Sequence, residues 1–137
     1  MAELAREGVP RGEISDAADA VQRALKRTLS DPRGRWLFDP KHEDAHSEWP
    51  LASVDLGEIA HVSVDRTFVS DGERWIVDFK TGRHEGANRE AFLEQEAERY
   101  RAQLARYARI VGATDPRPIR VALYYPLIDD GFHEVTL

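Results

Sequence analysis

A chain of 137 residues, 42% hydrophobic and 32% charged, has the length of one domain and enough apolar content to bury a core, which argues against wholesale disorder. Its net charge of −6 argues against a protein that coats nucleic acid by bulk electrostatics, although an enzyme with a local cationic track is still allowed. With no cysteine there is no disulfide framework, thiolate metal site or thiol nucleophile, and no apolar run approaches the roughly 20 residues that span a bilayer.

The start, MAELAREGVPRGE, lacks the basic-then-apolar order of a secretory signal, so a cytoplasmic setting is expected. Residues 1–12 read as a loose polar lead-in to a domain over 13–137. Ser15 is positioned to cap a helix over about 16–30, with Ile14, Val21, Leu25 and Leu29 forming one apolar face. Asp31-Pro32-Arg33-Gly34 ends that helix, and Trp36 to Phe38 form a short apolar patch. Residues 41–47 are polar, with His42 and His46 among them.

Strands follow over 48–56, 59–69 and 74–80. The last two flank Asp71-Gly72, the pair that favours a type I′ hairpin turn. A loop over 81–88 leads to a helix over 89–111, whose stripe holds Leu93, Tyr100, Leu104, Tyr107, Ala108 and Val111. Gly112 suits the position just past its end. A strand over 119–125 and a short edge strand over 132–137 complete the chain. This order predicts an α/β fold, a single mixed β-sheet flanked by helices.

The hairpin register yields a candidate site. With Asp71 and Gly72 as the loop, Ser70 faces Glu73, Asp65 faces Asp78 and Lys80 faces Ser63. One face then carries Val62, Val64, Phe68, Trp75, Val77 and Phe79, interrupted by Arg66. The other carries Ser63, Asp65, Thr67, Ile76, Asp78 and Lys80. Opposed Cβ atoms lie about 4.5–5.5 Å apart, so the two carboxylates repel unless something offsets them. A Mg²⁺ ion held by both is the economical candidate, with Lys80 orienting water or stabilising charge on a phosphate. The plain alternative is a solvated face on which Lys80 neutralises one aspartate. Apolar side chains on both faces just before Asp78 place it at the end of a central strand.

Asp65 and, thirteen positions on, Asp78-Phe79-Lys80-Thr81 together resemble the PD-(D/E)XK nuclease signature in its RecB-like form. Gln103-Leu104-Ala105-Arg106-Tyr107 is similar to the Q-x-x-x-Y element that follows it, and Glu48-Trp49-Pro50 to the E-x-P segment that precedes it. The resemblance covers about residues 13–128 and is nearest to the C-terminal nuclease domain of UvrD-type helicase-nucleases. It implies a restriction-endonuclease-like fold and Mg²⁺-dependent (or Mn²⁺-dependent) cleavage of DNA fed from helicase domains of the same or a partner chain, in repair or recombination. It also implies that Asp65 and Asp78 ligate metal with the Phe79 backbone carbonyl. Lys80 would be the catalytic lysine, Glu48 would support the metal or water, and Gln103 and Tyr107 would line the site.

The chain departs from that family in having Ser63 where a glycine is usual, no G-T-x-x-H-like motif before Glu48, and no G-x-x-x-x-G-K-[ST] loop. These departures suggest a piece, or a stand-alone remnant, of a longer helicase-nuclease, or a catalytically silent module of that fold. Nothing resembles a base-reading element, so contacts to backbone and ends are expected rather than sequence specificity. Sixteen arginines against three lysines suit bidentate phosphate contacts, and equally follow from a GC-rich coding sequence. Arg23, Arg27, Arg33 and Arg35 fit phosphate contacts or a solvated face, and His61 fits a ligand or a plain polar strand residue.

Overall fold

A computed structural model describes residues 11–84, 86 and 88–137. Helix α1 (Arg11–Ser30) and helix α2 (Pro32–Leu37) lead into strands β1 (Glu43–Asp55), β2 (Glu58–Ser70) and β3 (Glu73–Phe79). Helix α3 (Arg89–Gly112) and strands β4 (Ile119–Tyr124) and β5 (Phe132–Val135) follow. The five strands form one mixed sheet in the order β1-β2-β3-β4-β5. All neighbours are antiparallel except β3 and β4, which run parallel because α3 crosses between them.

Both faces of the sheet are covered, which explains why Arg74 to Asp78 of β3 are all buried. On one face α3 packs Leu93, Leu104 and Tyr107 against Val64, Ile76 and Leu123. On the other, Leu37 of α2 closes over Phe68, Trp75, Val77 and Tyr124. Arg66, the charge that interrupts the apolar pattern, belongs to this second face. Its Nε donates to the Leu37 carbonyl (2.9 Å) and one terminal nitrogen donates to Ser47 Oγ (3.0 Å). It therefore satisfies a carbonyl at the end of α2 that has no partner within the helix.

Asp71 (φ 52) and Gly72 (φ 76) have the left-handed backbone expected of their turn, and Leu56 (φ 51) with Gly57 (φ 85) turns the β1–β2 hairpin in the same way. Several expectations are corrected. Helix α1 is already formed at Arg11, so Ser15 lies inside it and is not its cap. Residues 1–10 of the expected lead-in, and the Ile14 side chain, fall outside the described residues. The apolar stripe of α1 does not enter a core: Val21, Leu25 and Leu29 are 48%, 58% and 68% exposed. That helix is held at its C-terminal end, where Arg27 Nε donates to the Pro126 carbonyl at 2.7 Å.

Asp31-Pro32 ends α1 but also starts α2. The Asp31 carboxylate caps the Arg33 N–H, and proline occupies the first turn, where its missing donor costs nothing. Strand β1 begins five residues before the expected 48. An irregularity between Glu43 and His46, with Asp44 at φ 44, lets this polar stretch join the sheet. Buried Arg74 fixes it there, donating to the Asp44 carbonyl (3.0 Å) and to Asp115 Oδ2 (2.9 Å). Gly112 is the last residue of α3 rather than the residue beyond it.

The corner between α1 and α2 depends on Gly34. A Cβ there would overlap the Thr28 carbonyl, a backbone atom that has no freedom to swing away. Gly34→Ala is expected to lower stability by about 1–3 kcal/mol, read as a fall in urea midpoint at unchanged m. An unchanged midpoint would contradict this packing.

Candidate active site

The β2–β3 register holds as expected from Ser70↔Glu73 to Arg66↔Val77, and there the ladder stops. In such a ladder, bonded pairs recur at every second residue from the turn. The Phe79 N–H would therefore meet the Val64 carbonyl. Instead it donates to Asp65 Oδ2 at 2.8 Å. A side-chain carboxylate has replaced a backbone acceptor, and β2 is released from β3 at that residue. This corrects the expected faces. Phe68, Trp75 and Val77 share the α2 side as read, but Val62 and Val64 turn to the α3 side with Leu51 and Trp49 of β1.

The same event brings the two aspartates together without making them a regular cross-strand pair. Their carboxyls lie close enough for Asp78 to hydrogen-bond a protonated Asp65. Asp65 is pushed up to about 6, first by burial and then by Asp78, against the pull of the Phe79 N–H and Lys80. Asp78 is 5% exposed. Its Oδ2 lies 2.7 Å from Lys80 Nζ, an ion pair in which no donor meets hydrogen-bond geometry at that oxygen. Lys80 itself lies just past the end of β3. Its backbone N–H bonds the Tyr124 carbonyl of β4 (2.9 Å), and it has no strand pairing with Ser63, because the β2–β3 ladder has already ended at Arg66 and Val77.

Helix α3 supplies the opposite wall. Gln103 Nε2 donates to Tyr107 Oη at 2.9 Å. Gln103 is exposed and Tyr107 is buried, so the amide reaches the phenol from the surface. Burial, followed by the negative charge of Asp78, raises the Tyr107 pKa, while Gln103 opposes that shift. Tyr100 also belongs to this wall. The Lys80 Nζ sits 3.8 Å from its ring centroid, a contact the reading of the sequence missed although the helical spacing set Tyr100 beside Gln103.

Glu48 is placed less closely. The pairs Ser47↔Arg66 and Trp49↔Val64 put it across from Asp65 on the neighbouring strand. Its side chain is exposed and its backbone is left-handed (φ 47), an uncommon state for a residue with a Cβ. Among the described residues no third histidine, aspartate or glutamate joins the aspartates at metal-binding spacing. His61 is exposed, and Glu85 falls outside the described residues.

Two desolvated carboxylates, one of them ion-paired to Lys80 Nζ at 2.7 Å, form a hard, anionic oxygen set of the kind that suits Mg²⁺ or Mn²⁺. The chain matches the family model described as the PD-(D/E)XK nuclease superfamily over residues 1–134. It belongs to that superfamily. Its five-stranded mixed sheet with flanking helices is the restriction-endonuclease-like architecture of these nucleases. No curated protein matches the chain. Among the described residues, no helix is long and apolar enough to cross a membrane.

This member of the superfamily should carry a measurable electrostatic cost at its aspartate pair. A carboxyl whose pKa is higher folded than unfolded holds its proton more tightly when folded. Asp65 therefore costs no stability below its ordinary value of 3.8, and the full cost is present once pH has risen past about 6. Asp65→Asn keeps an acceptor for the Phe79 N–H and removes the charge. Measured by urea unfolding in a chelator, it should stabilise the metal-free chain by about 1–3 kcal/mol at pH 7.5 and by little at pH 4. A gain of equal size at both pH values, or a loss at pH 7.5, would contradict the raised Asp65.

Proposed function

We propose that the chain is a divalent-metal-dependent deoxyribonuclease domain of the exonuclease type, working with helicase domains of its own or a partner chain in DNA repair or recombination. The observation that carries the enzymatic part is the Asp65–Asp78–Lys80 set: two adjoining carboxylates, the buried one of Asp78 paired with an ammonium 2.7 Å away. The helicase context rests on the likeness of Glu48 to Pro50, Asp78-Phe79-Lys80-Thr81 and Gln103 to Tyr107, in that order, to the nuclease domain of UvrD-type helicase-nucleases.

Asp65, Asp78 and the Phe79 carbonyl would hold Mg²⁺ or Mn²⁺. The Phe79 carbonyl lies on the same edge of β3 as the N–H that Asp65 binds. A cation there supplies polarisation of a phosphodiester oxygen and a lowered pKa for the attacking water. The chain's own groups do the rest. Lys80 presents its protons to the charge that grows on the phosphate. Tyr107 and Gln103 form a polar wall that orients the strand. Glu48, across from Asp65, supports the water or the cation once a substrate draws it in, and its left-handed backbone at the Glu-x-Pro segment is consistent with a strained functional residue.

The second reading is a catalytically silent module that docks or guides DNA in a helicase complex. The exposed side chain of Glu48 and the lack, among the described residues, of a third ligand group favour it. End-labelled linear duplex and a circular duplex of the same sequence, incubated with the 137-residue chain and Mg²⁺ or Mn²⁺, separate the two. The expected result is cleavage of the linear DNA only, reduced by about 10²-fold or more in Asp78→Ala and Lys80→Ala. No cleavage, together with no binding of Mn²⁺ by calorimetry, would overturn the enzymatic reading in favour of the module.

A further inference from the structure

The geometry points to Tyr100 as the positioning residue of Lys80: its ring face holds the ammonium in place when Asp78 gives up its oxygens to a cation. This inference rests on the nuclease reading of the same site and names a residue outside the Q-x-x-x-Y element.

Lys80 has two neighbours that could fix its ammonium. One is Asp78 Oδ2 at 2.7 Å and the other is the Tyr100 ring, whose centroid lies 3.8 Å from Nζ. The first cannot serve the reaction alone. A carboxylate that takes a divalent cation spends its charge and lone pairs there, and a lysine left without a partner on a four-carbon stem regains its rotamer freedom. The second is untouched by the cation. A ring face attracts an ammonium through its quadrupole, carries no proton to exchange and no lone pair that competes for Mg²⁺.

Burial makes the contact count. The Lys80 side chain is 21% exposed and Tyr100 is half-buried on α3, so the pair is shielded from the water that weakens exposed cation–π contacts. The spacing is also suited to the task. Tyr100 lies one turn before Gln103 and two before Tyr107, so a single helix carries the lysine clamp and the polar wall on one face. Arg99 lies farther from the same ring, with its guanidinium carbon 5.2 Å from the centroid, and is itself drawn toward Glu96 at 3.8 Å.

Two variants and two readouts test this. Tyr100→Phe keeps the ring, and Tyr100→Leu keeps the apolar bulk without it. In single-turnover and steady-state cleavage of linear duplex, Tyr100→Leu should lower kcat by roughly 3–30-fold with KM nearly unchanged, and Tyr100→Phe should stay within about twofold of the parent chain. Independently of activity, the chain has three lysines, Lys26, Lys41 and Lys80, so their ε-methylene resonances are easily separated. In the metal-free protein the Lys80 resonance should be displaced upfield by the ring current. That displacement should survive in Tyr100→Phe and vanish in Tyr100→Leu. An undisplaced Lys80 resonance in the parent chain, or a Tyr100→Leu variant that folds and cleaves like the parent, would overturn the inference. Loss of cleavage in Tyr100→Phe equal to that in Tyr100→Leu would also overturn it, because it would assign the effect to the hydroxyl. Absence of cleavage by the parent chain would overturn the nuclease reading, while the resonance would still decide the contact.

Discussion

The hydrogen bond from the Phe79 N–H to the Asp65 carboxylate governs this site. A backbone donor at the end of a central strand must find an acceptor, because leaving it buried and unpaired costs more than a bond gains. Here the acceptor is a side chain. That choice ends the β2–β3 ladder, brings Asp65 beside Asp78, and lets β2 turn so that Val62 and Val64 join the α3 face. One local substitution of acceptors thus sets the position of both carboxylates and the path of the β1–β2 hairpin.

Holding two carboxylates together out of water is unfavourable, and the rest of the fold supplies the restraint. Ile76 and Val77 on opposite faces of β3 are fully buried, which leaves Asp78 no freedom to retreat. Arg66 and Arg74 tie the ends of α2, β1 and the α3–β4 turn to the central hairpin. Helix α3 then lies across the α3-facing side with Tyr100, Gln103 and Tyr107 presented toward Lys80 and the aspartates. Burial, and then the neighbouring Asp78, raise Asp65, a perturbation of the sort that clusters at functional sites.

Much of this was legible in the sequence. Asp71-Gly72 marked the turn, and the turn gave the register from Ser70 and Glu73 to Arg66 and Val77, one residue short of the two aspartates. The apolar run Trp75-Ile76-Val77 marked β3 as central, and the 3.6-residue period marked α3. What was not legible follows from effects that alternation does not encode. The exchange of a backbone acceptor for a carboxylate turned β2 over at Asp65. The left-handed residues Asp44 and Glu48 let a polar stretch become the start of β1. Asp31-Pro32 both stopped one helix and capped the next. The stripe on α1 has helical spacing but no partner among the described residues, since periodicity records which side is apolar and not what lies against it. The bond between Lys80 and Tyr100 depends on how α3 is laid over the sheet, which no local pattern specifies.

The most direct test of the proposal that Asp65 and Asp78 share a cation is anomalous diffraction from crystals of this chain soaked in Mn²⁺. The expected result is a single strong peak bonded to an oxygen of Asp65 and an oxygen of Asp78, with Lys80 still against the Tyr100 ring. Density showing the two carboxyls turned to opposite sides of the sheet, or Mn²⁺ bound elsewhere with none between them, would contradict it.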